Sequence, residues 1–339
     1  MSTYRAYQVT GAHQFELVER ELLDAAAGQV RIRVQSCGIC HTDSITAEGF
    51  RPDPDQPVVP GHEIVGVIEA VGAGVTGWQR GDRVGVGFLG GHCGECTWCR
   101  RGDFVNCENQ PQTGITTDGG YAEVVYARAS GLIRVPDQLA APDAAPLLCA
   151  GITTFNPLRR VHAEPGALVA IQGIGGLGHL GLQYANKLGF QVAAIARGPG
   201  KAELARQLGA HHYIDSAAAD PAEALQELGG AVAIVATAAN GASMSPLVRG
   251  LRPRGQLVVV GAANDPIAVN TADVIFGGRS IVGSLTGTPI ENELGLQFSS
   301  DHGVSSMNEV FSFDDAPAAY ERMMSGDARF RVVLDMGVA

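Results

Sequence analysis

Cys40, His62 and Cys149 are the residues around which a catalytic reading of this 339-residue chain can be built. The stretch Cys37-Gly38-Ile39-Cys40-His41-Thr42-Asp43, followed by Gly61-His62-Glu63, gathers thiols, imidazoles, a hydroxyl and two carboxylates in a region rich in glycine and proline. Thiolate and neutral imidazole are ligands that Zn²⁺ prefers, and a catalytic zinc takes three protein ligands and keeps one position open. Cys40 and His62 would supply two, and the third must come from further along. Cys149, in Leu147-Leu148-Cys149-Ala150-Gly151-Ile152-Thr153, completes the set. Taken singly, each has a plainer reading: a lone cysteine is more often a small buried hydrophobe, and a lone histidine a hydrogen-bonded core residue.

A second cluster is tighter in sequence. Cys93, Cys96, Cys99 and Cys107 can wrap four thiolates around one Zn²⁺ and leave no open position, which makes a structural site. It would stiffen a lobe over about 90–109 that has too few apolar residues to pack itself. Free thiols on a loop are the alternative, and His92 could in principle replace one thiol.

The third signal is Gly173-Ile174-Gly175-Gly176-Leu177-Gly178, after an apolar strand and at the start of a helix. In that context the glycines allow a tight turn, a close approach to a pyrophosphate and close helix packing, and the helix N-terminus faces the anion. An acid at the end of the next strand would hold a ribose 2′-hydroxyl. Here the sequence runs Ile195-Ala196-Arg197-Gly198-Pro199-Gly200-Lys201, and the acid is missing. An arginine among small residues suits a 2′-phosphate, so NADP(H) is expected over NAD(H). The alternative is a solvated Arg197 and use of either cofactor.

These residues need two kinds of framework. From Gln29 to Cys37, Val-Arg-Ile-Arg-Val alternates apolar and charged residues as a half-buried strand does. Val58–Gly72, Gly81–Val86 and Gly120–Tyr126 read as further strands, so residues 1 to about 150 are expected to be mostly β. After Cys149 strands and helices alternate at βαβ spacing. Expected strands are Leu168–Gln172, Gln191–Ala196, His212–Ile214, Ala231–Ala236, Gln256–Gly261 and Ser280–Leu285, making a doubly wound parallel sheet. Expected helices include His179–Leu188 and Lys201–Leu208, the latter stopped by Gly209. The tail adds a helix over Asp314–Met324 and a strand over Arg331–Asp335 that returns to the first domain. Arg51–Pro57 reads as a surface loop held extended by its prolines.

Length favours two domains. A net charge of −11 argues against nucleic acid or an anionic membrane as partner. No apolar run is long enough to span a bilayer and the N-terminus has no signal-peptide core, so a cytoplasmic protein is expected. In that reducing setting the seven cysteines are metal ligands or free thiols rather than disulfides.

In their order along the chain, Cys-Gly-Ile-Cys-His-Thr-Asp, Gly-His-Glu, the four-cysteine lobe, Leu-Cys-Ala-Gly-Ile-Thr and Gly-x-Gly-Gly-Leu-Gly resemble the zinc-dependent alcohol dehydrogenases of the medium-chain dehydrogenase/reductase superfamily. The resemblance implies a GroES-like β-rich catalytic domain at 1–151, a Rossmann domain at 152–289 and a return to the first domain at 290–339, with the active site in the cleft between them. It implies two zincs per chain, with Cys40, His62 and Cys149 holding the catalytic one and Glu63 approaching it on ligand exchange. Asp43 would orient His62, and Thr42 would bind the substrate oxygen and pass its proton. His41 and Arg331 would contact the pyrophosphate, and Thr153 would lie by the nicotinamide. Gly173, Gly175, Gly176, Leu177, Gly178, Ala196, Arg197, Gly198, Lys201, Thr237 and Gly261 complete the expected cofactor contacts. Phe88, Leu89, Leu285 and Thr286 are expected in the substrate pocket, and Cys37 is expected to be structural.

The activity implied is reversible hydride transfer between an alcohol and a nicotinamide cofactor, with an aldehyde or ketone as the oxidised partner. A homodimer or homotetramer is expected, the strand Ser280–Leu285 pairing across a two-fold axis. Two alternatives are a polyol or sugar dehydrogenase, whose third ligand is usually a carboxylate where this chain has Cys149, and a non-catalytic NADPH-binding protein. Two positions depart from the pattern. Ile45 stands where many relatives have a proton-relaying histidine, and Met307-Asn308 stands where many have Lys-Pro.

Overall fold

The structure, a computed structural model, describes residues 2–53 and 55–337. It divides into two compact units, one of residues 1–152 with 286–339 and one of residues 153–285.

In the first unit the strand Gln29–Ile39 is the axis of the sheet. On one side it pairs antiparallel with Glu63–Val71. On the other it pairs with Val124–Arg128 along its first half and with Arg331–Asp335 along its second. Arg83–Val86 and Leu132–Arg134 extend the sheet beyond Glu63–Val71, and Asn308–Ser312 lies outside Arg331–Asp335. Val30, Ile32 and Val34 are buried while Arg33 is exposed, the alternation that charged and apolar residues in turn dictate. Each such aliphatic side chain contributes roughly 1.5–3 kcal/mol on burial. The alternation stops at Ser36, and Ser36 to Cys40 are all buried. The strand dives into the unit there, and the chemistry-bearing residues begin where it ends.

The expected strands of this unit are displaced by a few residues. Val58 forms only an isolated bridge to Val9, and Gly120 to Glu123 precede the strand rather than form it. A hairpin of Thr3–Gly11 and Gln14–Glu21 had no counterpart in the sequence reading. The stretch Arg51–Pro57 needs a correction. Arg51 is 4% exposed, and its guanidinium donates to the carbonyls of Thr46 and Val9, so a buried arginine anchors the segment. Pro54, one of its prolines, lies outside the described residues.

The second unit carries six parallel strands among the described residues, in the order His212–Asp215, Gln191–Ala196, Leu168–Gln172, Ala231–Ala236, Leu251–Val259 and Ser280–Gly283. Leu168–Gln172 and Ala231–Ala236 are buried at every position, as central strands covered on both faces must be. The order reverses between these two, and a doubly wound sheet takes its ligand at that switch point. Ser280–Gly283 is an edge strand and largely exposed.

The helix Pro289–His302 was not expected, although its start was legible. Thr288 and Glu291 form a capping box, Pro289 occupies the first turn and Gly303 closes the helix at φ 65°. Its apolar residues make no continuous stripe: Ile290 and Leu294 are exposed while Leu296 is buried. The tail helix begins at Ala316, after a short 3₁₀ turn. Among the described residues no helix is long and apolar enough to cross a membrane.

Candidate functional site

The end of the axial strand, the turn after it and the start of Glu63–Val71 converge. Donor atoms of Cys40, His62, Glu63 and Cys149 all lie within 4.8 Å of one another. The Cys40 and Cys149 sulfurs are 3.8 Å apart, and His62 Nε2 is 3.3 Å from the Cys149 sulfur. Asp43, 2% exposed, accepts from the Cys40 amide on Oδ2 at 2.9 Å and faces His62 Nδ1 with Oδ1 at 2.9 Å. An acceptor at Nδ1 fixes the proton there and turns the Nε2 lone pair toward the two sulfurs.

The charges fit a cation. The Cys40 thiol is held well below its ordinary range, first by the hydrogen bond from Cys149 and then, against burial, by His62 and Arg331. The same bond and burial push Cys149 up. Burial works against a charged His62, but the Asp43 carboxylate and the Cys40 sulfur together outweigh it and raise the imidazole well above its usual value. Burial lifts Glu63 to about 7, with the Arg331 guanidinium opposing. Glu63 Oε2 is buried without a hydrogen-bond partner. Two soft sulfurs, an oriented imidazole and a spare carboxylate oxygen form a donor set that suits zinc. A bound metal would displace the protons that these groups otherwise share.

Arg331 stands on the strand Arg331–Asp335. It is 4% exposed and ion-paired with Glu63. His41 is exposed on the one-turn 3₁₀ helix that follows Cys40, and the Thr42 hydroxyl lies 3.7 Å from the Cys40 sulfur. Ile45 is half-buried on the next turn. Cys37 is fully buried, and burial pushes its thiol well up, as a structural cysteine requires. Phe88 meets the His62 ring edge-on, with centroids 5.5 Å apart, and Leu89 and Thr286 are buried. Tyr121, which sequence reasoning passed over, donates its hydroxyl to Asp43 Oδ2 at 3.0 Å. Nothing in its local sequence points to a residue 78 positions away.

Cys93, Cys96, Cys99 and Cys107 form the other such group among the described residues, their donor atoms within 4.8 Å of one another. Backbone amides point at the sulfurs: Cys93 N at Cys107, Cys96 N at Cys93, and Cys99 N at Cys96, at 3.4 to 3.5 Å. Amides of Glu95 and Cys96 bring the Cys93 thiol down to about 6, while burial lifts Cys99 to about 12. His92 stacks on Phe104 at 4.1 Å and stays out of the group.

In the second unit the glycine turn sits at the switch point. Gly173 has φ 90°, and a Cβ there would fall 2.8 Å from Thr237 Oγ1. Thr237 donates to the carbonyls of Gln172 and Gly173, tying the turns after the two central strands together. A Cβ on Gly178 would strike the Gly173 carbonyl, whereas Gly175 has nothing within 4 Å of a Cβ. Thus Gly173 and Gly178 serve the turn and its packing, and Gly175 keeps open space. Gly176 and Leu177 form the turn itself, and Leu177 caps the helix Gly178–Lys187. Lys201 donates to the Ile174 carbonyl at 2.7 Å, bracing the turn. A Cβ on Gly261 would fall 2.5 Å from the Ala238 carbonyl, so that glycine serves close packing. Thr153 Oγ1 donates to the Leu285 carbonyl at 3.4 Å, and the Leu285 side chain is exposed.

Arg197 is exposed after Ala196. Sequence reasoning missed the carboxylate beside it. Asp215, in register with Ala196 on the neighbouring strand, accepts from the Gly198 amide at 2.7 Å and the Ala217 amide at 2.9 Å. The carboxylate thus lies at the end of the strand next to Ala196, tied to the backbone of the turn that carries Arg197.

Models of two families match the chain: the alcohol dehydrogenase GroES-like domain over residues 26–137 and the zinc-binding dehydrogenase over residues 176–300. Alcohol dehydrogenase patD of Penicillium expansum is 43% identical over 313 residues, covering 91% of this chain and 90% of that one. The structure of a cinnamyl alcohol dehydrogenase from Sorghum bicolor superposes with a TM-score of 0.88 at 34% identity, covering 98% of both chains. CAD from Helicobacter pylori, solved with NADP(H), gives 0.86 at 28% identity, again over 98% of both. With both family models in order along it and this identity over nine-tenths of its length, the chain belongs to the zinc-type alcohol dehydrogenases of the medium-chain dehydrogenase/reductase superfamily.

Proposed function

We propose that the chain transfers hydride reversibly between a primary or secondary alcohol, or the corresponding aldehyde or ketone, and a nicotinamide cofactor. Cys40, His62 and Cys149 hold a catalytic zinc, and the four clustered cysteines hold a structural one. The observation that carries this is the convergence of two sulfurs, an Asp43-oriented His62 and the unpartnered Glu63 Oε2 within 4.8 Å. A zinc ion there supplies a Lewis acid for the substrate oxygen.

This chain's residues do the rest. Asp43 keeps the proton on His62 Nδ1. Thr42, beside Cys40, offers the hydroxyl that binds the substrate oxygen and moves its proton, with Ser44 rather than the apolar Ile45 as the next group along the chain to take it. Phe88 and Leu89 form an apolar wall that favours an apolar or aromatic substrate. Arg331 sets the charge of Glu63. The second unit binds the dinucleotide, with Gly175 leaving room for the pyrophosphate at the N-terminus of Gly178–Lys187 and Thr153 and Leu285 near the nicotinamide. In sequence terms the catalytic unit comprises 1–151 and 290–339 and the Rossmann unit 152–289. Cys149 speaks against a polyol dehydrogenase, which would offer a carboxylate there. We assign the chain to the cytoplasm, where cysteines stay reduced and available as metal ligands.

Arg197 favours NADP(H), the cofactor in the Helicobacter pylori structure, while Asp215 places a negative charge nearby that works against a 2′-phosphate. We assign the preference to NADP(H). For the subunit arrangement, the edge strand Ser280–Gly283 exposes Ile281 and Val282, and Ile275 and Phe276 are 70% and 90% exposed, an apolar edge suited to pairing with a second copy.

The test is metal analysis with a substrate and cofactor panel. Two zincs per chain and alcohol-dependent turnover, with a higher kcat/KM for NADP(H), are expected. One zinc per chain would overturn the two-site assignment, and an NAD(H) preference would overturn the cofactor assignment.

A further inference from the structure

We propose that Tyr121 is a positioning residue for the metal centre, its hydroxyl locking the Asp43 carboxylate that orients His62. This rests on the assignment of Cys40, His62 and Cys149 as zinc ligands. Asp43 accepts on both oxygens. Oδ1 faces His62 Nδ1 at 2.9 Å, while Oδ2 takes the Cys40 amide at 2.9 Å and the Tyr121 hydroxyl at 3.0 Å. A carboxylate rotates about its last side-chain bond, and that rotation would swing Oδ1 away from the imidazole. Two donors on Oδ2 oppose it, one from the backbone and one from Tyr121.

The tyrosine is itself held. Tyr121 is fully buried, its ring stacks near Phe15 with centroids 6.5 Å apart and a 14° interplanar angle, and its amide donates to the Pro60 carbonyl, two residues before His62. Its carbonyl accepts from the Tyr7 amide at 2.8 Å. A Cβ on Gly61 would fall 2.5 Å from the ring, so the residue before His62 is bare where the ring lies against it. The chain therefore fixes ring and imidazole to the same short segment, and the hydroxyl reaches the carboxylate between them. Phenylalanine would fill this space equally well. Only the oxygen bears on the metal centre.

The experiment uses the zinc-loaded enzyme and Tyr121→Phe, which removes one atom and keeps the packing. Release of each zinc to a chelator is timed, with the four-cysteine site as internal reference, and the His62 Nδ1 proton is followed by NMR. Loss of a partner in the outer shell typically costs about 10–100-fold in metal affinity, and Tyr121 stands one contact further out. Release from the catalytic site is therefore expected to quicken about 3–10-fold, with the structural zinc unaffected and the Nδ1 proton shifted. In an Asp43→Asn background, Tyr121→Phe should add nothing, because its route runs through Asp43. Wild-type release with an unshifted proton, equal acceleration at both zincs, or fully additive effects would each overturn the proposal. A wild-type enzyme holding zinc only at the cysteine cluster would instead remove the metal assignment beneath it, so the two failures are distinct.

Discussion

The Glu63 carboxylate lies across Gly38, in the space that a side chain there would fill. A Cβ built on Gly38 meets Glu63 atoms on every nearest contact. The register explains it: Gly38 pairs with Glu63 on one side and with Val333 on the other, two residues past Arg331. The glycine of Cys-Gly-Ile-Cys is thus the gap through which the ion pair between Glu63 and Arg331 is made.

Gly38→Ala should therefore unsettle the first unit. Overpacking a close-fitted interior costs about 1–3 kcal/mol. A lower urea midpoint with unchanged slope is expected, together with faster zinc loss from the catalytic site. An unaltered midpoint would mean that the strand can shift to admit the methyl.

The two cysteine groups should separate cleanly. Cys40→Ala or Cys149→Ala is expected to retain one zinc and cofactor binding while turnover falls. Loss of several kcal/mol of transition-state stabilisation corresponds to about 10³-fold or more. Cys93→Ala should also lose one zinc, but with a lower melting temperature and a smaller loss of activity per folded molecule. Metal analysis beside kcat and thermal melts distinguishes these results.

Two glycines of one motif should behave differently. Gly175→Ala adds a methyl to open space, so stability should hold while the KM for the dinucleotide rises. Gly178→Ala drives a methyl at the Gly173 carbonyl and should lower stability first. Calorimetric melts with cofactor titrations check both, and equal stability of the two variants would contradict this division.

Glu309 gives a pH-dependent case away from the site. Arg322 and the Arg329 amide hold its carboxyl below the ordinary 4.5. A folded value below the unfolded one contributes stability that is present above about pH 5 and lost as pH falls through the folded value. Glu309→Gln should consequently be slightly less stable than wild type at neutral pH, and the difference should shrink as pH falls through the folded value. The pair is partly exposed, so the difference is small. Denaturation midpoints across that range test it.

Local chemistry was the legible part of this protein. The alternation in Gln29–Ile39, the metal-ligand residue types and the strand, turn and helix around Gly173 each show within a window of a few residues, and each is borne by a local rule. What escaped depended on contacts across the chain. Tyr121 meets Asp43 and Asp215 meets Gly198 only once the strands are paired. Arg51 in a stretch rich in Pro and Asp reads as solvated until the carbonyls of Thr46 and Val9 surround it. The helix Pro289–His302 is hidden for another reason: its capping residues are readable, but its apolar residues make no continuous stripe.

The strand Arg331–Asp335 also sets an order of assembly. It enters the first unit beside residues some 300 positions earlier, whereas the second unit is one continuous stretch between them. Contacts of such long sequence separation close late. A chain emerging from the ribosome can complete the second unit while Glu63, not yet met by Arg331, still lacks its cation. The part of the molecule synthesised first is therefore the part finished last, and until then it depends on not being captured by other strands.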